Sequence, residues 1–135
     1  MAASIVLDSY ALLALLRDEA GGDEVVALLE KAGQRNQPVH MTEVNYAEIQ
    51  VIVRRKNGEA AWKTIAEELI AAPIQFHPAD RHLSDLAAEF KSRHRISLAD
   101  AYAAALAKDR KAELVTGDPE FKALEKEIRI RWLKG

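Results

Sequence analysis

Residues 94–121 read HRISLADAYAAALAKDRKAELVTGDPEF. The spacing predicts an Ala-rich helix over 97–109, a short basic turn, and a strand over 113–116. Gly117 then turns the chain, and Pro119 opens a short helix through Leu124. Two acids punctuate the stretch. Asp100 follows Ser97 by three residues, the capping-box spacing. Asp118 precedes Pro119, a favourable first helical residue. Both acids have a cheap explanation as helix caps. Whether they also hold something depends on what the rest of the chain brings to them.

Outward from this stretch, short apolar runs alternate with helical patterns. SIVL at 4–7 reads as a buried strand that ends at Asp8, and 9–17 as a helix with Leu12, Leu13 and Leu16 inward. Gly21 and Gly22 break that helix, and a second runs over 23–33. Residues 38–41 form a short strand. Thr42 caps a helix to about Arg55, which Asn57-Gly58 stops. A helix over 59–71 carries Trp62, Ile65, Ala66 and Leu69 on one face, and Pro73 ends it. A strand at 74–76, a helix over 79–92 and a last strand at 128–130 complete the pattern. Short strands alternating with helices require a mainly parallel sheet with helices on both faces, a three-layer α/β/α sandwich. In such sheets the site lies outside the carboxyl ends of the strands.

The chain has 135 residues, the size of one domain spanning 1–135. It has no Cys, which removes disulfides, thiolate metal sites and cysteine chemistry. No apolar run approaches the roughly 18 residues of a membrane span. The start lacks a basic segment of the secretory kind, so a cytoplasmic protein is expected. The formal charge of −2 argues against a general basic coat for nucleic acid. A local basic rim stays open. Arg54, Arg55 and Lys56 form one bunch, and Lys91, Arg93, His94 and Arg95 another.

Four carboxylates are candidates for chemistry. Asp8, Asp100 and Asp118 can each cap a helix. Glu48 cannot, because it lies inside its helix on a stripe with Val44, Val51, Ile52 and Arg55. A carboxylate among apolar residues needs a partner or a cation. The sheet brings Asp8 and Asp118 to one edge, and crossover helices normally start at that edge, which puts Asp100 on its side and Glu48 about one and a half turns down. Gathered acids repel one another unless a hard cation such as Mg²⁺ or Mn²⁺ lies between them. The four His residues show no ligand spacing, and Glu43 ranks below Glu48 as a candidate. Tyr46, Ile49 and Val53 lie off the Glu48 stripe and belong either to a buried core or to a two-fold interface.

Taken in order, the segments IVLDSYALLALL, MTEVNYAEI, SLADAYAAALA and LVTGDPEF resemble the motifs of PIN domains. More narrowly, they are similar to the VapC-type ribonuclease toxins of toxin–antitoxin pairs. Thr42 stands six residues before Glu48, and Thr116, Asp118 and Phe121 end the last motif. Tyr10 is a departure, since many relatives carry a smaller residue there. The resemblance implies Asp8, Glu48, Asp100 and Asp118 around one or two Mg²⁺ or Mn²⁺ ions, and endonucleolytic hydrolysis of RNA. Ser9 and Thr116 would orient water or phosphate, and Arg54, Arg55, Arg93 and Arg95 would contact RNA. It also implies a homodimer held inactive by a cognate antitoxin. The alternatives are a non-catalytic RNA- or metal-binding module, a housekeeping RNA-processing nuclease, a phospho-acceptor domain (for which no suitable late Lys is present), or a structural dimer module.

Overall fold

Side-chain caps start most of the helices. Asp8 accepts from the Ala11 N–H at the head of α1 (Ser9–Leu16), and Thr42 from Asn45 at the head of α3 (Glu43–Asn57). Asp80 starts α5 (Arg81–Arg93), and Ser97 starts α6 (Leu98–Arg110). The remaining helices, α2 (Gly22–Arg35) and α4 (Glu59–Ala71), begin behind Gly21 and Gly58, both at φ 89°. Gly22 is needed for a different reason. A Cβ there would stand 2.6 Å from the Ala14 carbonyl oxygen, so only glycine lets α2 pass this close to α1.

The strands are β1 (Ile5–Leu7), β2 (Val39–Thr42), β3 (Ile74–His77), β4 (Glu113–Thr116) and β5 (Arg129–Trp132). They form one five-stranded sheet in the order β3-β2-β1-β4-β5. Every pairing is parallel. The computed structural model describes residues 4–134. Alternate residues of the central strands face opposite layers. Val6 and Leu114 join Phe90, Leu106 and Phe121 on one side, under α5 and α6. Leu7 and Val115 join Leu12, Met41, Ile49 and Trp62 on the other, under α1–α4. The expected three-layer α/β/α sandwich is therefore the fold, with a sheet that is wholly parallel. Residues 119–124 form a 3₁₀ helix rather than an α-helix.

One expected face differs. The buried residues of α3 are Asn45, Ile49 and Val53, whereas Val51 is 45% exposed. The apolar stripe is therefore displaced from the one predicted through Val44, Glu48, Val51 and Ile52. Glu48 lies half-buried beside it. The polar residue Asn45 hides the true stripe from a hydrophobicity pattern. Ile49 and Val53 belong to the core, and Tyr46 packs edge-on against Trp62 and Phe76 at centroid distances of 5.5 and 5.2 Å. Ile49 and Val53 are thus part of the protomer's own core, and Tyr46 is half-buried at its margin.

Candidate active site

The carboxyl edge of the sheet gathers the acids. Asp8 directly follows β1, is 1% exposed, and uses both oxygens. One accepts from the Ala11 N–H at 2.9 Å, and the other from the Thr116 hydroxyl at 2.6 Å. The Thr116 oxygen also accepts from the Asp118 N–H at 3.0 Å. A single hydroxyl at the end of β4 thereby fixes two acids from neighbouring strands. Asp118 caps the 3₁₀ helix by accepting from the Glu120 N–H at 2.9 Å. Asp100 sits in the first turn of α6, 8% exposed, with its N–H held by Ser97. One carboxylate oxygen from each of Asp100, Asp118 and Glu120 lies within 4.8 Å of the others.

Asn45 organises the floor of this edge. Its side-chain amide donates to the Ser9 hydroxyl at 3.2 Å and to the Ala99 carbonyl at 3.3 Å. Its N–H donates to Thr42, whose hydroxyl donates back to the Asn45 side-chain oxygen. Ser9 in turn donates to the Asn45 carbonyl at 3.2 Å. The starts of α1, α3 and α6 are thus joined through one fully buried amide. The Ser9 and Thr116 hydroxyls, expected to orient water or phosphate, have their protons committed to protein acceptors. Thr116 positions Asp8 and Asp118, and Ser9 ties the start of α1 to Asn45.

The electrostatics follow from this crowding. Burial is the main force that pushes Asp8 up to about 7, and the negative charges of Asp118 and Glu48 add to it. The bonds from Thr116 and Ala11 oppose the rise. Burial likewise pushes Asp100 up to about 8, aided by the adjacent Glu120 carboxyl and the charges of Asp118 and Asp8. Acids this crowded ionise together only with positive charge among them. The donor set fits a hard divalent cation, being made of carboxylate oxygens with no His or Cys in the cluster. Ligand oxygens about 2.1 Å from one Mg²⁺ stand about 3–4 Å apart, so small side-chain rotations bring this trio into range.

Asp8, Asp100 and Asp118 are therefore brought together, with Glu48 close enough to act on Asp8. Glu120 was not anticipated. Its only sequence signal is its place two residues beyond Asp118, in TGDPEF. Nothing in that spacing shows that the turn carries its side chain back to α6. The two bunches of the expected basic rim stand at the end of α3 and in the turn from α5 to α6. Arg54 pairs with Glu59 and lies over Trp62, 5.9 Å from the ring centroid. Arg54 and Arg55 stand about 18 Å along α3 from its cap, at 1.5 Å per residue. Arg93 and His94 both hold Glu127, at 2.7 and 2.6 Å. Arg93, His94 and Arg95 lie between the end of α5 and the Ser97 cap of α6, whose first turn carries Asp100. Arg95 is exposed and makes no ion pair among the described residues.

Comparison with known proteins agrees with this fold. The backbone is similar to that of VapBC2 from Rickettsia felis bound to a promoter DNA fragment, with a TM-score of 0.77 at 16% identity over 96% of this chain and 98% of that one. It is also similar to a sarcin–ricin loop-cleaving VapC toxin of Mycobacterium tuberculosis, at 0.68 and 20% identity over 89% and 94%. A toxin–antitoxin complex from Klebsiella pneumoniae gives 0.62 and 17% identity over 87% and 90%. A search of curated proteins by sequence finds no match. The PIN domain family model matches residues 5–127. With that match over nearly all of its length, and acids meeting at the carboxyl edge of a parallel sheet, this chain belongs to the PIN domain family.

Proposed function

We propose that the protein is a metal-dependent endoribonuclease, hydrolysing RNA phosphodiester bonds as the VapC-type toxin of a toxin–antitoxin pair. The observation that carries this reading is the convergence of Asp8, Asp100, Asp118 and Glu120, with Glu48 beside them, where burial holds two of the acids near neutral pH. Asp100, Asp118 and Glu120 would hold one Mg²⁺ or Mn²⁺, and Asp8 would face the same ion directly or through water. A bound divalent ion supplies a water of lowered pKa and neutralises charge on the scissile phosphate. Glu48, half-buried and near enough for its charge to act on Asp8, is the group assigned to take the proton of the attacking water. Thr116 keeps Asp8 and Asp118 in register while this happens.

RNA must approach an acidic centre, so part of its affinity comes from cations outside it. Arg95 and Arg55 are the expected contacts, with Arg54 and Arg93 as further ones once released from Glu59 and Glu127. Each phosphate contact contributes roughly 0.7 to the logarithmic salt slope on single strands. The similar structures include toxin–antitoxin complexes, which supports a cognate antitoxin as inhibitor. We further assign a homodimer acting in the cytoplasm. Among the described residues, no helix is long and apolar enough to cross a membrane.

The test is incubation of the purified protein with total cellular RNA, in Mn²⁺ and in EDTA, with end mapping of the products and an Asp100→Asn control. Cleavage that needs the metal and is lost in the variant is expected. Cleavage that persists in EDTA, or in the variant, would reject the assignment.

A further inference from the structure

The opposite edge of the sheet carries a cavity that the acidic centre does not use. It opens where β1 and β2 begin, has a volume of about 390 Å³, and is floored by Ile5, Leu28 and Val39. Lys31 and Arg35 reach it from α2, and Arg110 from the end of α6. No Asp or Glu lines it. Cations at helix ends are common, because they suit the helix dipole. Here, however, three of them from two helices surround one cavity. None of the three forms an ion pair among the described residues.

The cavity wall is polar without being acidic. His40 is 5% exposed, and its Nδ1 lies 2.9 Å from Nε2 of His77. Burial, with Arg110 and His77 nearby, holds His40 down to about 4, so it is neutral near pH 7. The side-chain amides of Asn36 and Gln75 complete the rim. Three cations around a cavity that no acid lines, beside an apolar floor, suit an anion that carries a ring. The volume lies within the range of about 300–1,000 Å³ typical of small-ligand sites.

We propose that this cavity binds a small phosphorylated ligand of nucleotide size, its phosphate among Lys31, Arg35 and Arg110 and its ring over Leu28 and Val39. Such a phosphate belongs either to a free nucleotide or to the end of an oligonucleotide, and a volume of about 390 Å³ suits the single nucleotide. The site is separate from the acidic centre and needs no metal.

The test is calorimetric and NMR titration of the full chain in EDTA. The probes are adenosine 5′-monophosphate, adenosine, inorganic phosphate and a 5′-phosphorylated trinucleotide. The monophosphate should saturate below about 5 mM and move the amide signals of Asn36 and Gln75. Adenosine, and the monophosphate with Lys31→Gln/Arg35→Gln or with Arg110→Gln, should bind roughly tenfold or more weakly. These positions are exposed, so the variants should fold as the parent does. Failure to saturate, equal binding by adenosine, unchanged binding in both variants, or signals moving at Asp100 and Asp118 instead would overturn the proposal. So would a trinucleotide that binds more tightly than the monophosphate.

Discussion

Asp8 and Asp100 carry opposite consequences for stability and for chemistry. Their folded pKa values, about 7 and about 8, lie above the ordinary 3.8. A group raised on folding favours the folded state most below its unfolded value, and that advantage is lost as pH rises through the folded one. The metal-free protein should therefore lose stability between about pH 4 and pH 8, each acid contributing at most about 1.4 kcal/mol for every pH unit between its unfolded and folded values. Asp100→Asn should flatten this loss in thermal melts while lowering metal-dependent cleavage by about a hundredfold or more. A melt profile as steep as that of the parent would show that Asp100 is not a raised acid. Gly117 sets a second constraint. A Cβ there would stand 2.3 Å from the ring of Tyr10, which is 44% exposed, so an added methyl makes this side chain swing off the turn between Thr116 and Asp118. Gly117→Ala should cost less than about 1 kcal/mol, because an exposed ring can move where a core side chain cannot. Tyr10→Ala in the same chain should restore most of it, as a double-mutant cycle would measure.

Asn45 shows what an element can hide. On the α3 sequence it looks like an interruption of the apolar face, yet it is fully buried and joins three helix starts. Replacing it with Ala would leave the Ser9 and Thr42 hydroxyls and the Ala99 carbonyl short of partners. The expected cost is about 2–4 kcal/mol, measured by denaturant unfolding, because buried polar groups left unpaired are penalised more than bonded ones are rewarded. Activity should fall in the folded Asn45→Ala fraction too, since α1 and α6 carry Asp8 and Asp100 in from different directions. A folded variant with full activity would show that the acids are positioned without the amide. The Glu48 position teaches the same lesson. A helical period predicts which residues share a face, but the neighbouring elements choose which face is buried.

At the scale of the molecule, the acids are a site only because the sheet is parallel. Parallel pairing puts the ends of β1 and β4 side by side, with Leu7 opposite Val115, so the residues that follow must meet. If that centre binds a divalent ion, Mn²⁺ should raise the melting temperature, and by more at pH 8 than at pH 6, because binding requires the acids to lose their protons. Saturation at a hundred times Kd corresponds to about 2.7 kcal/mol. A melting temperature that Mn²⁺ raises equally at both pH values would mean that the ion sits elsewhere. The sequence by itself determined the alternation of strands and helices, the caps, and Asp8, Asp100 and Asp118 at element ends, since these rest on local periodicity and turn chemistry. Only the tertiary structure decided the rest. It set the strand order, buried Asn45 rather than Val51, swung Glu120 back to Asp100, and tied Arg54 and Arg93 to Glu59 and Glu127. Each of these depends on contacts between distant segments, and local spacing has no means of encoding which distant side chain a charge will meet.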